Sequence, residues 1–222
     1  MIVITGDKMR YEAVIFDLDG TLLDTLEDLR SSVNHALRLH GFPERSYEEI
    51  RTFVGNGVRN LMLKAVPAGT EGALFEQVFS DFKSHYAEHW CELTCPYSGI
   101  DELVQELHSR GVKLAVVSNK SDIEVKKLCD EFFGSRILSA VGERPGIARK
   151  PAPDSVLHTL EELGVSREQT LYVGDSEMDV RTAHNAGLDC AAVTWGFRTR
   201  DELKEAGAVL FIDRPSELLE LL

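Results

Sequence analysis

Apolar residues follow helical spacing in the segment that leads up to residue 92. One stripe recurs every three or four positions and comprises Leu22, Leu26, Leu29, Val33 and Leu37. This spacing places the five side chains on one face of an amphipathic helix. Gly41 follows as a stop signal, and Ser46 with Glu49 has the form of a capping box that opens a second helix. Two more helical stretches follow, so residues 25–92 are predicted to contain no strand.

The rest of the chain alternates between strand-like and helical patterns. Residues 11–16 are apolar on both faces, which is typical of a central strand in a parallel sheet. Further predicted strands, with helical stretches between most of them, cover residues 113–118, 137–141, 170–173, 190–194 and 209–212. Such alternation with short loops predicts a parallel sheet. The expected fold class is therefore α/β, with a helical domain inserted after the first strand.

Polar side chains stand where three of the predicted strands end. Asp17 and Asp19 follow the first strand, Ser118 ends the next, and Asp175 follows a later one. Lys150 precedes a predicted helix. Ligands of parallel α/β sheets bind outside the carboxyl ends of the strands. We therefore expect these residues, distant in sequence, to meet at one edge of the sheet.

The acidic residues of this edge require a cation. Asp17, Asp19, Asp175 and Asp179 would place up to four carboxylates in one site, and like charges at that range cannot all ionise unaided. Mg²⁺ prefers oxygen ligands and keeps several waters, so it would neutralise such a site and also bind phosphate oxygens. The expected cofactor is Mg²⁺.

The same carboxylates are suited to phosphoryl transfer. Asp17 can attack phosphorus to form an aspartyl-phosphate, while Asp19 protonates the leaving oxygen and later accepts a proton from water. Lys150 would offset the phosphate charge, and Ser118 and Asn119 can donate hydrogen bonds to its oxygens. The alternative is that the acidic segment forms only a capped strand-to-helix turn, but such a turn requires none of the other residues.

The composition and charge of the chain limit the kinds of molecule that it is expected to bind. The chain has 222 residues and a net charge of −13, which disfavours binding to nucleic acid or to an anionic membrane. No apolar run approaches the ~20 residues that span a bilayer, and the beginning of the chain lacks the pattern of a signal peptide. The four cysteines form no C-x-x-C motif, as expected of reduced thiols. We expect a cytoplasmic monomer or homodimer that acts on a small phosphorylated metabolite.

Four segments resemble, in order, the motifs of the haloacid dehalogenase superfamily. They are Asp17-Leu18-Asp19-Gly20-Thr21, Val117-Ser118-Asn119-Lys120, Arg149-Lys150-Pro151 and Gly174-Asp175-Ser176-Glu177-Met178-Asp179. The resemblance covers nearly the whole chain and implies a Rossmann-like core of residues 9–24 and 93–222 with a helical cap of residues 25–92. The cap is expected to close over the core about joints near residues 24–25 and 91–96. Residues 1–8 are expected to form a flexible extension.

The resemblance also implies roles for individual residues. Asp17 would be the nucleophile and Asp19 the general acid and base. Asp17, Asp175 and the backbone carbonyl of Asp19 would bind Mg²⁺, with Asp179 in support. Phosphate would be bound by Thr21, Ser118, Asn119 and Lys150. The carboxylate at position 19 favours a phosphatase over the dehalogenases, which lack it.

A narrower resemblance concerns the substrate. Val54-Gly55-Asn56-Gly57-Val58, Cys95-Pro96-Tyr97-Ser98-Gly99 and Thr194-Trp195-Gly196-Phe197 are similar to segments of bacterial phosphoglycolate phosphatases. This similarity implies a phosphomonoester hydrolase, with 2-phosphoglycolate as the expected substrate. Two alternatives on the same fold stay open, a sugar phosphomutase resembling β-phosphoglucomutase and a pyrophosphatase. A non-catalytic binding module is a third interpretation, which the intact motifs disfavour.

Several residues of the helical segment have plain structural interpretations. Arg51 and Arg59 could pair with a substrate carboxylate, but exposed helical arginines are the expectation. His85 and His89 are spaced like a zinc-binding pair, yet the glutamate of zinc proteases does not accompany them, so we expect a solvated face. The aromatic residues expected to pack inside the segment are Phe75, Phe79, Phe82 and Trp90.

Overall fold

The structure of the protein is a computed structural model that describes residues 10–55 and 57–222. The predicted extension, residues 1–8, and Asn56 of the Gly55-Asn56-Gly57 segment lie outside the described residues. In the part of the chain that is described, no helix has both the length and the apolar character needed to cross a membrane.

A parallel sheet forms the centre of the molecule. The strands are β1 (Ala13–Phe16), β2 (Leu23–Asp24), β3 (Cys95–Pro96), β4 (Lys113–Ser121), β5 (Ser139–Glu143), β6 (Thr170–Gly174), β7 (Asp189–Val193) and β8 (Leu210–Ile212). Six of them form one sheet in the order β5-β4-β1-β6-β7-β8, and every neighbouring pair is parallel. The sequence-based prediction of an α/β fold with a central first strand is confirmed.

Helices cover both faces of this sheet and also form the segment inserted after the first strand. They are α1 (Leu26–Leu39), α2 (Tyr47–Phe53), α3 (Gly57–Ala65), α4 (Gly72–His89), α5 (Ile100–Ser109), α6 (Asp122–Phe132), α7 (Asp154–Leu163), α8 (Glu177–Ala186) and α9 (Arg200–Glu205). Val14 and Phe16 of β1 belong to the hydrophobic core formed with α5 and α6. Ala13 and Ile15 face the opposite way, into the core formed with α7 and α8. This double burial explains why the first strand is apolar on both faces.

Helices α1 to α4 build a separate hydrophobic core away from the two faces of the sheet, and we call residues 26–89 the helical insertion. Its core includes Leu29, Val33 and Leu37 of α1 together with a row of aromatic rings in α4: Phe75, Phe79, Phe82 and Tyr86. Successive rings of this row are stacked with centroids 5.9, 6.3 and 5.6 Å apart. The predicted packing of these aromatic residues is confirmed, with Trp90 half-buried between the two cores.

The predicted apolar stripe is wrong at its first position. Leu22 precedes α1 and packs in the core of the sheet, not in that of the insertion. The reason is local, because the chain first turns at Gly20, where φ is +84°, and forms β2 before the helix begins. A left-handed backbone of this kind is readily adopted by glycine and rarely by other residues.

Two short strands join the insertion to the sheet. β2 and β3 pair in antiparallel orientation, so the chain leaves and re-enters the sheet domain side by side. The carboxylate of Asp28 accepts hydrogen bonds from the backbone N–H groups of Leu93 and Thr94 and from the Thr94 hydroxyl. Sequence analysis did not predict this ribbon, since a two-residue strand carries no measurable periodicity.

Other predicted elements are present with shifted ends. Ser46 and Glu49 form the predicted capping box at the start of α2. β4 continues to Ser121, beyond the predicted end, and β5 begins at Ser139, later than predicted. Helix α9 was not predicted, because its six residues are too few to show a helical period.

Candidate active site

All four motif-like segments reach one cavity at the carboxyl end of the sheet. The cavity has a volume of about 510 Å³ and is bordered by both the sheet domain and the helical insertion. Six of the eight predicted site residues line it, namely Asp17, Asp19, Ser118, Asn119, Lys150 and Asp175. The insertion contributes apolar side chains such as Leu29, Val58 and Leu61. The parallel topology therefore gathers residues that the sequence keeps far apart.

Three buried carboxylates form the acidic centre of the site. One oxygen from each of Asp17, Asp175 and Asp179 lies within 4.8 Å of the others. Lys150 Nζ lies 3.0 Å from Asp17 Oδ1 and 2.7 Å from Asp179 Oδ1. A single ammonium cannot neutralise three ionised carboxylates, so this oxygen-only donor set fits an additional divalent cation.

The pKa values of these groups reflect the crowding. Burial raises the pKa of Asp17 well above its ordinary value, and Asp179 raises it further while Lys150 opposes the shift. The pKa of Asp175 rises to about 7, again through burial first and the charge of Asp179 second. Burial by itself would lower the pKa of Lys150, but Asp17 and Asp179 raise it above its ordinary value, so the ammonium stays charged. A divalent cation would relieve the same repulsion between carboxylates.

Asp175 is held by groups from two other segments. Thr21 Oγ1 donates a hydrogen bond to Asp175 Oδ1 at 3.0 Å, and the Phe197 N–H donates to Oδ2 at 2.8 Å. Gly196 allows this approach, because a Cβ at that position would lie 2.3 Å from Asp175 Cβ. Thr21 thus orients an acidic side chain, and its role in phosphate binding stays a prediction.

Ser118 and Asn119 border the cavity in β4. Ser118 Oγ accepts a hydrogen bond from the Lys120 N–H at 3.3 Å, which leaves its hydroxyl hydrogen available for a ligand. Asn119 Nδ2 donates to the backbone carbonyl of Lys150 at 3.2 Å and so positions the segment that carries the lysine. Asn119 Oδ1 is buried without a hydrogen-bond partner among the described residues. A buried acceptor of this kind can receive a hydrogen bond from a bound water or a substrate hydroxyl.

Asp19 stands apart from the acidic centre and pairs with Lys120. Lys120 Nζ lies 3.1 Å from Asp19 Oδ1 and 2.7 Å from the hydroxyl of Tyr86 in α4. Burial by itself would lower the pKa of Lys120, but Asp19 and Tyr86 raise it above its ordinary value. One buried ammonium therefore connects a carboxylate of the cavity with the helical insertion.

Comparison with known proteins agrees with this geometry. The sequence matches the family of haloacid dehalogenase-like hydrolases over residues 14–193, which is most of the chain. The chain belongs to this family. All four segments of the candidate site lie within the matched range.

Relatives within the family include phosphatases. The chain is 34% identical over 212 residues to a phosphoglycolate phosphatase from Aquifex aeolicus, covering 94% of this chain and 95% of the relative. It is 30% identical over 217 residues to an N-acetylmuramic acid 6-phosphate phosphatase from Pseudomonas aeruginosa, covering 97% and 96%. The crystal structure of a candidate phosphoglycolate phosphatase from Lactobacillus delbrueckii subsp. bulgaricus superposes with a TM-score of 0.91 at 38% identity, covering 96% of this chain and 99% of that one. These findings identify the chain as an enzyme of the phosphatase type.

Beside the acidic centre of this hydrolase lies a buried hydroxyl, that of Tyr172, which sequence reasoning did not single out. The Tyr172 hydroxyl donates to Asp179 Oδ1 at 3.1 Å, and Lys150 Nζ lies 3.3 Å from the Tyr172 oxygen. Tyr172 lies within a fully buried strand, where an aromatic residue is usually explained by packing alone. Lys120 was also missed as a functional candidate, because only the fold shows that it is buried between Asp19 and Tyr86.

Arg198 of the hydrolase joins the sheet domain to the insertion at a second place. Its Nη1 and Nη2 donate to the backbone carbonyls of Arg51 at 3.1 Å and Val54 at 2.6 Å. Its Nε donates to Glu177 Oε2 at 2.9 Å, beside the acidic centre. No residue pattern marked Arg198, since its acceptors are backbone carbonyls distant in sequence.

The arginines of the insertion that were weighed as substrate ligands have other partners. Arg59 forms an exposed ion pair with Glu76 and does not line the cavity. Arg51 Nε lies 3.4 Å from Glu48 Oε2, and of the two side chains only that of Glu48 is exposed. The expectation of exposed helical arginines is met for Arg59, whereas Arg51 is half-buried.

The expectation for the histidine pair is only partly correct. His85 stacks between His35 and His89 with ring centroids 4.0 and 4.2 Å away, and its Nδ1 lies 3.0 Å from Ser32 Oγ. His85 is therefore half-buried and not fully solvated, because α1 packs against this face of α4. Among the residues that the structure describes, the histidines form no cluster of three metal-type ligands.

Proposed function

We propose that the chain is an Mg²⁺-dependent phosphomonoester hydrolase that acts through an aspartyl-phosphate, with 2-phosphoglycolate as its substrate. The observation that carries this proposal is the convergence of Asp17, Asp19, Lys150 and Asp175 on a single cavity. Relatives named phosphoglycolate phosphatase at 34% identity support the choice of substrate.

Asp17 is the nucleophile in this proposal. Its Oδ1 accepts a hydrogen bond from the Leu18 N–H at 2.7 Å and pairs with Lys150, which fixes the carboxylate at the cavity. A carboxylate oxygen of Asp17 forms a bond to phosphorus while the bond from phosphorus to the ester oxygen breaks. Lys150 stabilises the negative charge of the transferring group.

Asp19 moves the proton in both half-reactions. It gives a proton to the ester oxygen that leaves, and it then takes a proton from the water that attacks the aspartyl-phosphate. The second attack breaks the bond between phosphorus and Asp17 and releases inorganic phosphate. The hydroxyl of Ser118 and the Asn119 segment would bind the remaining phosphate oxygens. The Thr21 hydroxyl would join them only by giving up its hydrogen bond to Asp175.

Mg²⁺ would be held by Asp17, Asp175 and the backbone carbonyl of Asp19, with Asp179 in support. The three buried carboxylates with a single lysine fit this ion, since their oxygen ligands suit a hard cation. Bound there, Mg²⁺ would supply positive charge to the phosphate oxygens of the substrate.

The helical insertion acts as a cap in this proposal. Residues 25–92 would form the cap and residues 9–24 and 93–222 the catalytic core. The paired connections β2 and β3 are suited to be the joint, because both cross between the domains at the same place. Closure would exclude water during transfer to Asp17 and opening would release the product.

A second candidate substrate is a larger phosphorylated sugar. The cavity of about 510 Å³ is roomy for a two-carbon ester. One relative is named an N-acetylmuramic acid 6-phosphate phosphatase. The sugar phosphomutase and pyrophosphatase activities are outcomes that the same experiment would reveal.

The test is a hydrolysis screen with a nucleophile control. The purified protein with Mg²⁺ is offered 2-phosphoglycolate, N-acetylmuramic acid 6-phosphate, glucose 1-phosphate and pyrophosphate, and released phosphate is measured. We expect the highest kcat/KM for 2-phosphoglycolate, loss of turnover with a chelator, and loss of turnover in Asp17→Asn with the fold intact by circular dichroism. Undiminished activity of Asp17→Asn would refute the mechanism, and conversion of glucose 1-phosphate to its isomer would identify a mutase.

A cytoplasmic location and a monomeric or homodimeric state are part of the same proposal. The net charge of −13 supports a freely diffusing enzyme that does not bind nucleic acid or anionic membrane. Cell fractionation and light scattering test these two statements.

A further inference from the structure

A buried lysine outside the phosphate and metal positions joins the cavity to the insertion. Lys120 is 8% exposed, and its ammonium lies 3.1 Å from Asp19 Oδ1 and 2.7 Å from the Tyr86 hydroxyl. Tyr86 is 4% exposed and closes the aromatic row of α4. The contact thus spans the boundary between β4 and the helical insertion.

Burial of the Lys120 ammonium costs free energy of folding unless both of its partners, Asp19 and Tyr86, are present. A lysine ammonium without water requires ionic and hydrogen-bonding partners, because desolvation of an unpaired charge is severe. Asp19 supplies the opposite charge and Tyr86 supplies a hydroxyl acceptor. Tyr86 remains beside Lys120 only while α4 lies against β4, so the surroundings of Lys120 depend on the position of the insertion.

Engagement of one carboxylate oxygen also constrains the other. Lys120 holds Asp19 Oδ1, and the ion pair fixes the side-chain torsions that aim Oδ2. A general acid acts only when its proton-bearing oxygen is within hydrogen-bond reach of the leaving oxygen. The orientation of Asp19 is therefore the quantity that Lys120 controls.

We propose that Lys120 is a positioning residue that orients Asp19 for proton transfer, and that the Tyr86 hydroxyl secures Lys120 when the insertion lies over the cavity. This inference rests on the proposed function, in which Asp19 protonates the leaving oxygen. It adds a connection by which closure of the insertion prepares the acid and base. In the open arrangement Lys120 would lose Tyr86 and Asp19 would be less well oriented.

The dependence on the leaving group separates this role from a merely structural one. The alkoxide that leaves an alkyl phosphate requires protonation during bond cleavage, whereas p-nitrophenolate is stable enough to leave without it. The parameter kcat/KM reports the steps up to formation of the aspartyl-phosphate, before Asp19 acts as a base. A defect in Asp19 orientation should therefore reduce kcat/KM for the alkyl ester and spare the aryl ester.

The experiment compares Lys120→Met and Tyr86→Phe with the unchanged enzyme on 2-phosphoglycolate and p-nitrophenyl phosphate. For Lys120→Met we expect kcat/KM to fall by about 100-fold on the alkyl ester and by less than about threefold on the aryl ester. Tyr86→Phe keeps the buried ring and should show the same selectivity with a loss of about five- to tenfold. If Lys120→Met does not fold, Tyr86→Phe still decides the question.

Two controls complete the design. Lys113 lies on the same strand and donates from Nζ to the Leu163 carbonyl, away from the cavity. Lys113→Met should therefore change kcat/KM little, and equally, for the two esters. Because Tyr86 acts through Lys120, the double variant Lys120→Met with Tyr86→Phe should have the same kcat/KM on the alkyl ester as Lys120→Met, within about twofold. Equal losses on the two esters, no loss at all, or multiplicative losses in the double variant would overturn the proposal.

A failure of the role proposed for Lys120 can be distinguished from a failure of the proposed phosphatase function. Turnover by the unchanged enzyme and its loss in Asp17→Asn test the phosphatase mechanism alone. If those hold and the two esters respond alike, only the role of Lys120 is refuted. If neither ester is hydrolysed by the unchanged enzyme, both proposals fall together.

Discussion

Lys150 Nζ lies 2.7 Å from Asp179 Oδ1, and neither side chain is exposed to solvent by more than 3%. The same ammonium lies 3.0 Å from the proposed nucleophile, Asp17. Lys150 is thus shared between two buried carboxylates, and it links the stability of the fold to the chemistry of the site.

Removal of the shared cation should destabilise the protein. Lys150→Met leaves Asp17 and Asp179 without their ammonium, and loss of one partner of a buried ion pair typically costs about 3–5 kcal/mol. Urea unfolding measures the change without substrate. The double variant Lys150→Met with Asp179→Asn should recover part of the stability but no activity. Equal stability of Lys150→Met and the unchanged protein would contradict the assigned role.

Arg198 should hold the second contact between the insertion and the sheet domain. Arg198→Met removes hydrogen bonds to the carbonyls of Arg51 and Val54. Each bond to a charged donor is worth about 1.5–3 kcal/mol, so hydrogen exchange in residues 50–54 should accelerate by about tenfold or more. Arg200→Met, which breaks an exposed pair with Asp213 and a cation–π contact with Phe211, both within the sheet domain, is the matched control. Unchanged exchange in residues 50–54 would show that other contacts hold the insertion in place.

The pH dependence of stability should carry a contribution from His85. Burial lowers the pKa of His85 below its usual value of 6.5, and the neighbouring His35 and His89 lower it further. The folded state therefore disfavours protonation of His85. The stability that the neutral imidazole contributes is complete above the unfolded-state pKa of about 6.5, and it is lost as the pH falls through the folded-state pKa.

His85→Gln tests this dependence. The urea concentration at the unfolding midpoint should fall less between pH 7.5 and pH 5 in this variant than in the unchanged protein. His108→Gln, an exposed histidine at the end of α5, should leave the decline as it is. An identical slope for His85→Gln and the unchanged protein would exclude His85 as the cause.

If 2-phosphoglycolate is the substrate, as proposed, Arg144 should recognise its carboxylate. Arg144, Arg149 and Arg198 line the cavity, but Arg149 lies 3.7 Å from Glu143 and Arg198 is bonded to Glu177. Arg144→Met should raise KM for 2-phosphoglycolate by about tenfold, the effect of one charge-assisted hydrogen bond. The KM for p-nitrophenyl phosphate, which lacks a carboxylate, should change little.

A surface arginine provides the control for Arg144. Arg110 pairs with Glu106 on the exposed face of α5, and Arg110→Met removes the same charge from the protein without touching the cavity. If Arg110→Met raises the KM for 2-phosphoglycolate as much as Arg144→Met does, the effect is one of net charge and not of recognition.

The sequence by itself determined the fold class and predicted most of the polar residues that meet at the cavity. Periodicity separates the alternating strands and helices from the helical insertion, because the periods of strand and helix differ and burial selects apolar residues. Asp17 and Asp175 were predictable because each directly follows a strand, and Ser118 because it ends the predicted strand over residues 113–118, although β4 continues to Ser121. Parallel strands all end at one edge of a sheet.

Only the tertiary structure decided which side chains meet across the domains. The pairing of Lys120 with Tyr86, the bonds from Arg198 to the carbonyls of the insertion, and the hydroxyl of Tyr172 beside Asp179 follow no local pattern. Leu22 was misplaced for a local reason, since a single left-handed residue, Gly20, changes the direction of the chain. Local spacing records which face of an element is buried, whereas the partner on that face is set by the packing of segments far apart in sequence.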